Sequence, residues 1–375
     1  MEDLFALADE LGPQLIAHVY EPALGLKAVV AVDNTACGPA IGGVRMAADV
    51  TALEAFRLAR AMTLKNAAAG LPHGGGKSVI VADPKMPVAE KEQHIRAFAC
   101  AIKDLTSYIP GPDMGTDERC MGWIKDEIDR AVGLPPEIGG IPLDEIGATG
   151  FGVSVAVEVA APLGNLSLAG ARVVVQGFGS VGQHAARFLA AKGAVLIAAA
   201  DSQGTVYDPQ GLNLESLMAL KRAGHSVREH PSGEKLTPDA VIDIECDIWI
   251  PAARPDVLRA DNVARLHTKI VAQGANIPCT SEAEQVLYEK GVVILPDFIA
   301  NAGGVICAAV EYHGGTQMTA FQMIEEKIRT NTTAVLSEAH RQQIQPRQAA
   351  VALAEQRVRN AAQYRRWLGQ TAFNR

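Results

Sequence analysis

Residues 172–182 read RVVVQGFGSVG, and this segment limits the fold more than any other. A β-branched run at 172–176 leads into Gly177, Gly179 and Gly182 in GxGxxG spacing, and a helical pattern follows at 181–192. Glycines so spaced say little alone; between a strand and a helix they carry a mechanism. Gly177 permits a tight turn, Gly179 lets a pyrophosphate approach the backbone, and Gly182 lets the helix pack closely on the sheet. The phosphate then meets free N–H groups at the helix N-terminus. Phe178, Ser180 and Val181 complete the loop and count as candidate contacts. The next strand, VLIAAA at 195–200, ends at Asp201 beside Ser202. Asp201 is placed to accept hydrogen bonds from an adenosine ribose, which favours NAD. NADP is not excluded, because Ser202 and Gln203 are small or neutral, although no Arg or Lys stands immediately beside Asp201. The plain alternatives are a glycine turn of another α/β protein and a surface cap for Asp201.

Further strands are expected at 247–250, 269–272 and 292–295. Strands alternating with helices indicate a parallel sheet covered on both faces. Upstream, LKAVVAV at 26–32 reads as a strand and GPAIGG at 38–43 as a Gly/Pro-rich turn. Residues 51–66 have helical spacing, with Leu53, Phe56 and Ala59 on one side. Thr51 and Glu54 suggest a capping box. AAAGLPHGGGKSVIVADP reads as a tight turn entering a strand at 78–82, followed by helices at about 90–108 and from near Asp117. The Gly/Pro-rich stretch 131–148 is the expected domain boundary. A helix is expected at 149–163, and two helical stretches beyond 318.

A chain of 375 residues suits two domains. A net charge of -8 argues against a nucleic-acid partner. The six cysteines lie far apart without a CxxC, so they read as reduced core residues and no metal site is expected. The acidic N-terminus lacks a signal peptide's basic region, and no stretch of eighteen apolar residues is free of charges and breakers. A cytoplasmic protein without a membrane span is expected.

The chemistry centres on two lysines and an aspartate. Lys65 ends the 51–66 helix, and Lys77 follows three glycines. A lysine between apolar AAAG and SVIV segments is a candidate for a depressed pKa and a role as general base; an anion-binding or solvated lysine is the alternative. A phosphate loop is excluded, because the first glycine of GxxxxGK[ST] is missing. Asp113, in IPGPDMGTD, is a candidate proton-transfer partner for Lys77, with Asp117 capping the next helix. Asn301, in PDFIANAGGV, is placed to orient a nicotinamide or a substrate. Turn or cap roles are the alternatives for both.

The segments GPAIGGVRM, MTLKNAAAGLPHGGGKSVI, PGPDMGTD, IGATGFGV, VVVQGFGSVG, CDIWIPAA, GANIPCT and PDFIANAGGV, in this order, resemble the glutamate/leucine/phenylalanine/valine dehydrogenase superfamily. The resemblance covers about residues 25–315. It implies reversible NAD(P)-dependent oxidative deamination of an L-amino acid to a 2-oxo acid and ammonia. Lys65 would bind the α-carboxylate, Lys77 would activate water, and Asp113 would exchange protons with the amino group. Gly42 and Gly43 would let the substrate approach. Thr149 would lie near the nicotinamide carboxamide, and Asn301 beside nicotinamide and substrate. Ala252 and Asn276 join the cofactor-binding set. The implied fold is α/β in two domains with an active-site cleft between them. Residues 1–140 plus returning C-terminal helices 321–375 form the substrate-binding, catalytic and oligomerisation domain, and residues 145–320 the Rossmann-type NAD(P)-binding domain. A homo-oligomer (dimer, hexamer or octamer) is expected.

The departures bear on substrate. Glutamate dehydrogenases carry a side-chain-binding lysine where this chain has Ile41, and a serine that aligns with Ala308. Burying a carboxylate without partners costs several kcal/mol. A pocket of Ile41, Met62, Val305 and Ala308 is therefore expected to prefer an aliphatic amino acid such as leucine or valine. The alternatives are a glutamate dehydrogenase with relocated recognition, a dehydrogenase for aromatic or noncanonical amino acids, a nonenzymatic NAD-binding regulator, or ordinary core roles for these four residues.

Overall fold

The structure is a computed structural model that describes residues 7–365. The chain divides into two compact units. The first runs through Pro142 and adds Val305–Ala320 and the chain from Val351; the second comprises Leu143–Gly304 and Phe321–Ala350.

The first unit contains β1 (Leu15–Glu21), β2 (Leu26–Asn34), β3 (Ala40–Ala47), α1 (Ala52–Ala68), β4 (Gly74–Val81), α2 (Val88–Ala101), β5 (Tyr108–Pro112) and α3 (Glu118–Ile128). Its sheet runs β1-β2-β4-β3-β5. The β1–β2 and β2–β4 pairs are antiparallel; β3 runs parallel to both β4 and β5. Side chains alternate across a strand, so Ala28, Val30 and Val32 join Phe98, Met121 and Ile124 in one core. Val29 and Ala31 meet Ala55 and Ala59 of α1 in another.

Gly38 and Pro39 form a bend as expected, but AIGG and GGGK are strand, not turn. A Cβ on Gly42 would stand 1.6 Å from the Gly76 carbonyl oxygen, and one on Gly75 would stand 2.0 Å from the Thr63 nitrogen. These glycines serve close approach of β3, β4 and α1, which is why their composition suggests a turn. The helix expected to reach 108 ends at Ala101, and Tyr108 enters β5 opposite Ala40.

The second unit contains α4 (Leu143–Ile146), α5 (Ala148–Ala160), β6 (Arg172–Gln176), α6 (Ser180–Ala190), β7 (Val195–Asp201), β8 (Gly204–Tyr207), α7 (Leu214–Arg222), β9 (Glu234–Leu236), β10 (Ile248–Pro251), β11 (Ile270–Ala272), α8 (Ser281–Glu289), β12 (Val293–Leu295) and α9 (Asp297–Ala300). The sheet order is β12-β11-β10-β6-β7-β8-β9. The five strands from β12 to β7 are parallel, as in a Rossmann-like sheet, and β8 and β9 extend it antiparallel. The stretch 143–164 is long and apolar enough to cross a membrane, but 67% of its most apolar window is buried inside the protein, as in a core helix.

Three further helices, α10 (Gly303–Tyr312), α11 (Gln317–Gln342) and α12 (Pro346–Ala362), each pass from one unit to the other. Residues 305–320 thus fall to the first unit and 321–350 to the second, opposite to the expected assignment. Glu311 bonds the 133–141 loop in the first unit. Phe321 packs against Phe151 and Phe188 in the second. Of the cysteines, Cys100 is exposed and Cys37 half-buried, so only the other four are core residues.

Candidate functional site

Lys77 lies on β4 and shares the α1 face with Gly75, while Gly76 and Ser78 face Tyr108. It is 4% exposed. Its ammonium donates to Oδ2 of Asp113, which follows β5. Gly43 borders this pair: a Cβ there would lie 2.7 Å from Asp113 Oδ2 and 3.0 Å from Lys77 Nζ. Burial pushes the Lys77 ammonium down to about 7; the like charges of Arg45 and Lys65 add to this, and Glu54 opposes it. An amine that loses its proton near neutral pH is suited to general-base work.

The rest of the pair's surroundings come from neighbouring strands and α1. Lys65 is half-buried in the last turn of α1, and its charge acts on Lys77. Asp113 Oδ1 accepts from the Met114 backbone N–H at 2.6 Å and from Arg45 Nε at 3.1 Å. Arg45 Nη1 donates to Glu54 Oε1 at 2.6 Å. Asp117 caps α3 as expected, accepting from the Cys120 N–H. The buried Tyr108 hydroxyl donates to the Gly42 carbonyl at 2.9 Å, tying β5 to β3 at the glycine pair, where β3 and β4 keep one register on either side.

Ile41 and Ala308 meet in a buried apolar cluster with Ile109 and Val132. Met62 and Val305 are half-buried and lie outside it. One helical turn beyond Ala308, Glu311 accepts from the backbone N–H groups of Gly133 at 2.7 Å, Leu134 at 3.1 Å and Ile141 at 2.7 Å. Burial pushes its carboxyl up despite these three donors. Glu311 thereby fixes the loop that carries Val132.

In the second unit the fingerprint forms the turn between β6 and α6. Gly177 has φ 94°. A Cβ on Gly182 would meet the Gly177 carbonyl oxygen at 2.2 Å, whereas one on Gly179 would meet nothing within 4 Å. Gly179 is the N-cap of α6, makes no side-chain cap bond and has open space beside it, as a helix start that takes a phosphate requires. Phe178 is different: it is 1% exposed and its N–H donates to Ala200, so it packs inward. Val181 and Ala252 flank Gly274, and Thr149 lies against Gly303 and Gly304. Asn301 Nδ2 donates to the Gly274 and Ala275 carbonyls and to Oδ1 of the exposed Asn276. Asn301 Oδ1 is buried and accepts no hydrogen bond among the described residues. An open glycine cradle and an orphan buried acceptor fit a dinucleotide bearing a carboxamide.

Asp201 departs from the simple ribose reading. Its Oδ1 accepts from the Gln203 N–H at 3.0 Å and Ser226 Oγ at 2.9 Å, and its Oδ2 from Lys221 Nζ and the Val227 N–H, each at 2.9 Å. Burial alone would raise its pKa, but Lys221 and the other donors hold it below the usual value. Ser202 is exposed beside it.

The family model for Glutamate/Leucine/Phenylalanine/Valine dehydrogenase matches residues 139–366, and that for the Glu/Leu/Phe/Val dehydrogenase dimerisation domain matches residues 20–130. The chain belongs to the Glu/Leu/Phe/Val dehydrogenase family. It is an amino-acid dehydrogenase, an oxidoreductase acting on CH–NH2 donors. A glutamate dehydrogenase of Aeropyrum pernix is 38% identical over 89% of this chain and 85% of its own. An NADP(+)-dependent glutamate dehydrogenase of Pyrobaculum calidifontis is 37% identical over the same shares. Among solved structures, a hetero-hexameric glutamate dehydrogenase of Thermus thermophilus in its Leu-bound form gives a TM-score of 0.84 at 31% identity, covering 94% of this chain and 90% of that one. An L-tryptophan dehydrogenase of Nostoc punctiforme gives 0.76 at 27%, covering 96% and 99%.

Within this dehydrogenase the candidates fall into two sets. Ile41, Gly42, Gly43, Met62, Lys65, Lys77, Asp113, Val305 and Ala308 belong to the first unit; Thr149, the fingerprint, Asp201, Ser202, Ala252, Asn276 and Asn301 belong to the second. Sequence reading missed Arg45, Tyr108, Lys221 and Glu311. Arg45 stands in the GGVRM segment, where its charge is legible but its partners are not. Glu311 leaves a trace as the single charge in the apolar run GGVICAAVEY.

Proposed function

We propose that this enzyme catalyses reversible NAD(P)-dependent oxidative deamination of an aliphatic L-amino acid, such as leucine or valine, to the 2-oxo acid and ammonia. The observation that carries the substrate class is the buried cluster of Ile41, Ile109, Val132 and Ala308. Each methylene buried there contributes about 0.8 kcal/mol, whereas an unpaired carboxylate costs several.

Lys65 holds the α-carboxylate, and the small Gly42 and Gly43 let the substrate reach the Lys77–Asp113 pair. The fingerprint, Ala252, Thr149, Asn276 and Asn301 hold the cofactor, with Asn301 Oδ1 available to accept from its carboxamide. When bound, the nicotinamide would supply the hydride acceptor for oxidation at the α-carbon. Asp113 takes a proton from the substrate ammonium, neutral Lys77 takes one from the water that attacks the substrate imine, and Asp113 returns its proton to the departing nitrogen. Holding these groups in place supplies the alignment that the reaction needs.

Asp201 does not enforce NAD in this reading. A carboxylate offers about four acceptor positions, and four donors already engage it. With Lys221 beside it, the site accepts the 2′-phosphate of NADP as well as the diol of NAD. The match of residues 20–130 to a dimerisation domain supports a homo-oligomer.

Glutamate is the second reading, favoured by the names of the Aeropyrum and Pyrobaculum relatives. A reductive-amination screen of 2-oxo acids with ammonia and NADH or NADPH decides between them. Higher kcat/KM for 4-methyl-2-oxopentanoate and 3-methyl-2-oxobutanoate than for 2-oxoglutarate is expected; the reverse order overturns the aliphatic assignment.

A further inference from the structure

Four charged side chains of alternating sign form one chain through the first unit: Glu54 on α1, Arg45 on β3, Asp113 after β5 and Lys77 on β4. Arg45 occupies its centre. It is 22% exposed at the side chain, between Glu54 at 33% and Asp113 at 17%. Glu54 shows how firmly the link is made. Thr51 caps α1 by accepting the Glu54 backbone N–H at 3.1 Å. Yet the Glu54 carboxylate reaches across to Arg45, in place of the reciprocal bond of a capping box.

We propose that Arg45, anchored by Glu54, is a positioning residue that holds the Asp113 carboxylate toward Lys77 and sets the charge environment in which Lys77 works. The proposal rests on the reading of Lys77 and Asp113 given above. Two geometric facts support it. Arg45 and the Met114 N–H both take Asp113 Oδ1, which leaves Oδ2 for Lys77. Without Arg45, Asp113 keeps a single backbone bond at Oδ1 and is free to turn about its side-chain torsions. Second, Arg45 and Lys77 converge on the same carboxylate, so the Arg45 charge acts on Lys77 at short range through partly buried surroundings.

The charges acting on Lys77 are Asp113, Arg45 and, from α1, Lys65 and Glu54. Asp33 on β2 is engaged by Arg60 and Thr63, and Tyr108 of β5 lies on the opposite face of β4. Removing Arg45 therefore removes a like charge from Lys77 and favours its ammonium. Removing the Glu54 charge acts in the other direction.

The test is the pH profile of kcat/KM for oxidative deamination by the full-length enzyme with Arg45→Met, Arg45→Lys, Glu54→Gln and Lys77→Ala. Arg45→Met is expected to move the acidic limb upward by on the order of one pH unit and to lower kcat by about 10- to 100-fold. Arg45→Lys keeps the charge and returns the limb to within a few tenths of a unit of its original position, with part of the kcat loss remaining. Glu54→Gln moves the limb downward. Limbs that stay in place in both Arg45→Met and Glu54→Gln, or that move in the opposite directions, overturn the proposal. Glu54 is partly exposed, so its variant carries the test if Arg45→Met does not fold. Lys77→Ala separates the two layers: retained turnover there removes Lys77 itself from catalysis, whereas lost turnover with unmoved limbs removes Arg45 alone.

Discussion

Lys221 Nζ lies 2.9 Å from Asp201 Oδ2, and the two residues form an ion pair at the end of the second strand of the dinucleotide unit. The pair cancels the negative charge that a ribose-binding aspartate would present to a 2′-phosphate. Replacing Lys221 by Met leaves that charge uncompensated. The KM for NADPH is expected to rise about 10- to 100-fold, the scale of one charge-assisted bond, while that for NADH stays within about threefold. Steady-state kinetics with both cofactors check this; equal effects on the two would place Lys221 outside cofactor discrimination.

As the proposed general base, Lys77 implies a pH dependence whose sign follows from its burial. Its pKa is lowered from 10.5 to about 7, so the neutral amine appears as pH rises through that value. Oxidative deamination is expected to rise over roughly pH 6–8 and then level with respect to this group. Lys77→Ala should cut turnover by about 10²- to 10⁴-fold and leave NADH binding, followed by fluorescence titration, within about twofold. A variant that turns over normally would exclude the general-base role.

Gly42 and Gly43 are adjacent but should fail differently. A Cβ on Gly42 strikes the Gly76 backbone, which has no freedom to yield; a Cβ on Gly43 strikes the ends of the Asp113 and Lys77 side chains. Gly42→Ala is expected to destabilise the protein by about 3 kcal/mol or more, seen as a lowered Tm. Gly43→Ala should keep Tm within a few degrees and lose most activity. The opposite pattern would contradict the packing at this strand.

In the proposed pocket, Ile41 and Ala308 are the positions where a substrate side-chain carboxylate would need partners. Ile41→Lys combined with Ala308→Ser is expected to raise the ratio of kcat/KM for glutamate over leucine at least about tenfold, the worth of one charged hydrogen bond or more. An unchanged ratio in a folded double variant would move side-chain recognition elsewhere.

The dinucleotide unit was legible because its signals are local. RVVVQ, the three glycines and the following helix are contiguous, and each glycine has a geometric duty visible in its spacing. The first unit was harder to read. GPAIGG and GGGK have the composition of turns, yet AIGG and GGGK lie in central strands whose glycines admit neighbouring backbone, a contact only the folded sheet reveals. Lys77 and Asp113 stood out by their surroundings, but Arg45 and Glu54 gain meaning only when β3, α1 and the loop after β5 come together. Lys221 stands 20 residues from Asp201 and escapes any reading of immediate neighbours. The late helices misled because each serves two units, and periodicity cannot tell which end of a helix packs where.

That division of the late helices sets an order of events at the ribosome. The sheet of the first unit is encoded by residue 112, and Val132 follows soon after, but Ala308 and the Glu311 carboxylate that secures the 133–141 loop arrive only when the second unit's seven strands have all been made. Domains usually mature in the order of their synthesis. Here the first-made unit waits for the last-made segments, and Ile41, Ile109 and Val132 stay uncovered on the nascent chain. The Ile41–Ile109–Val132–Ala308 cluster is therefore completed late in synthesis, and the interval before it closes is when the chain most needs protection from its neighbours.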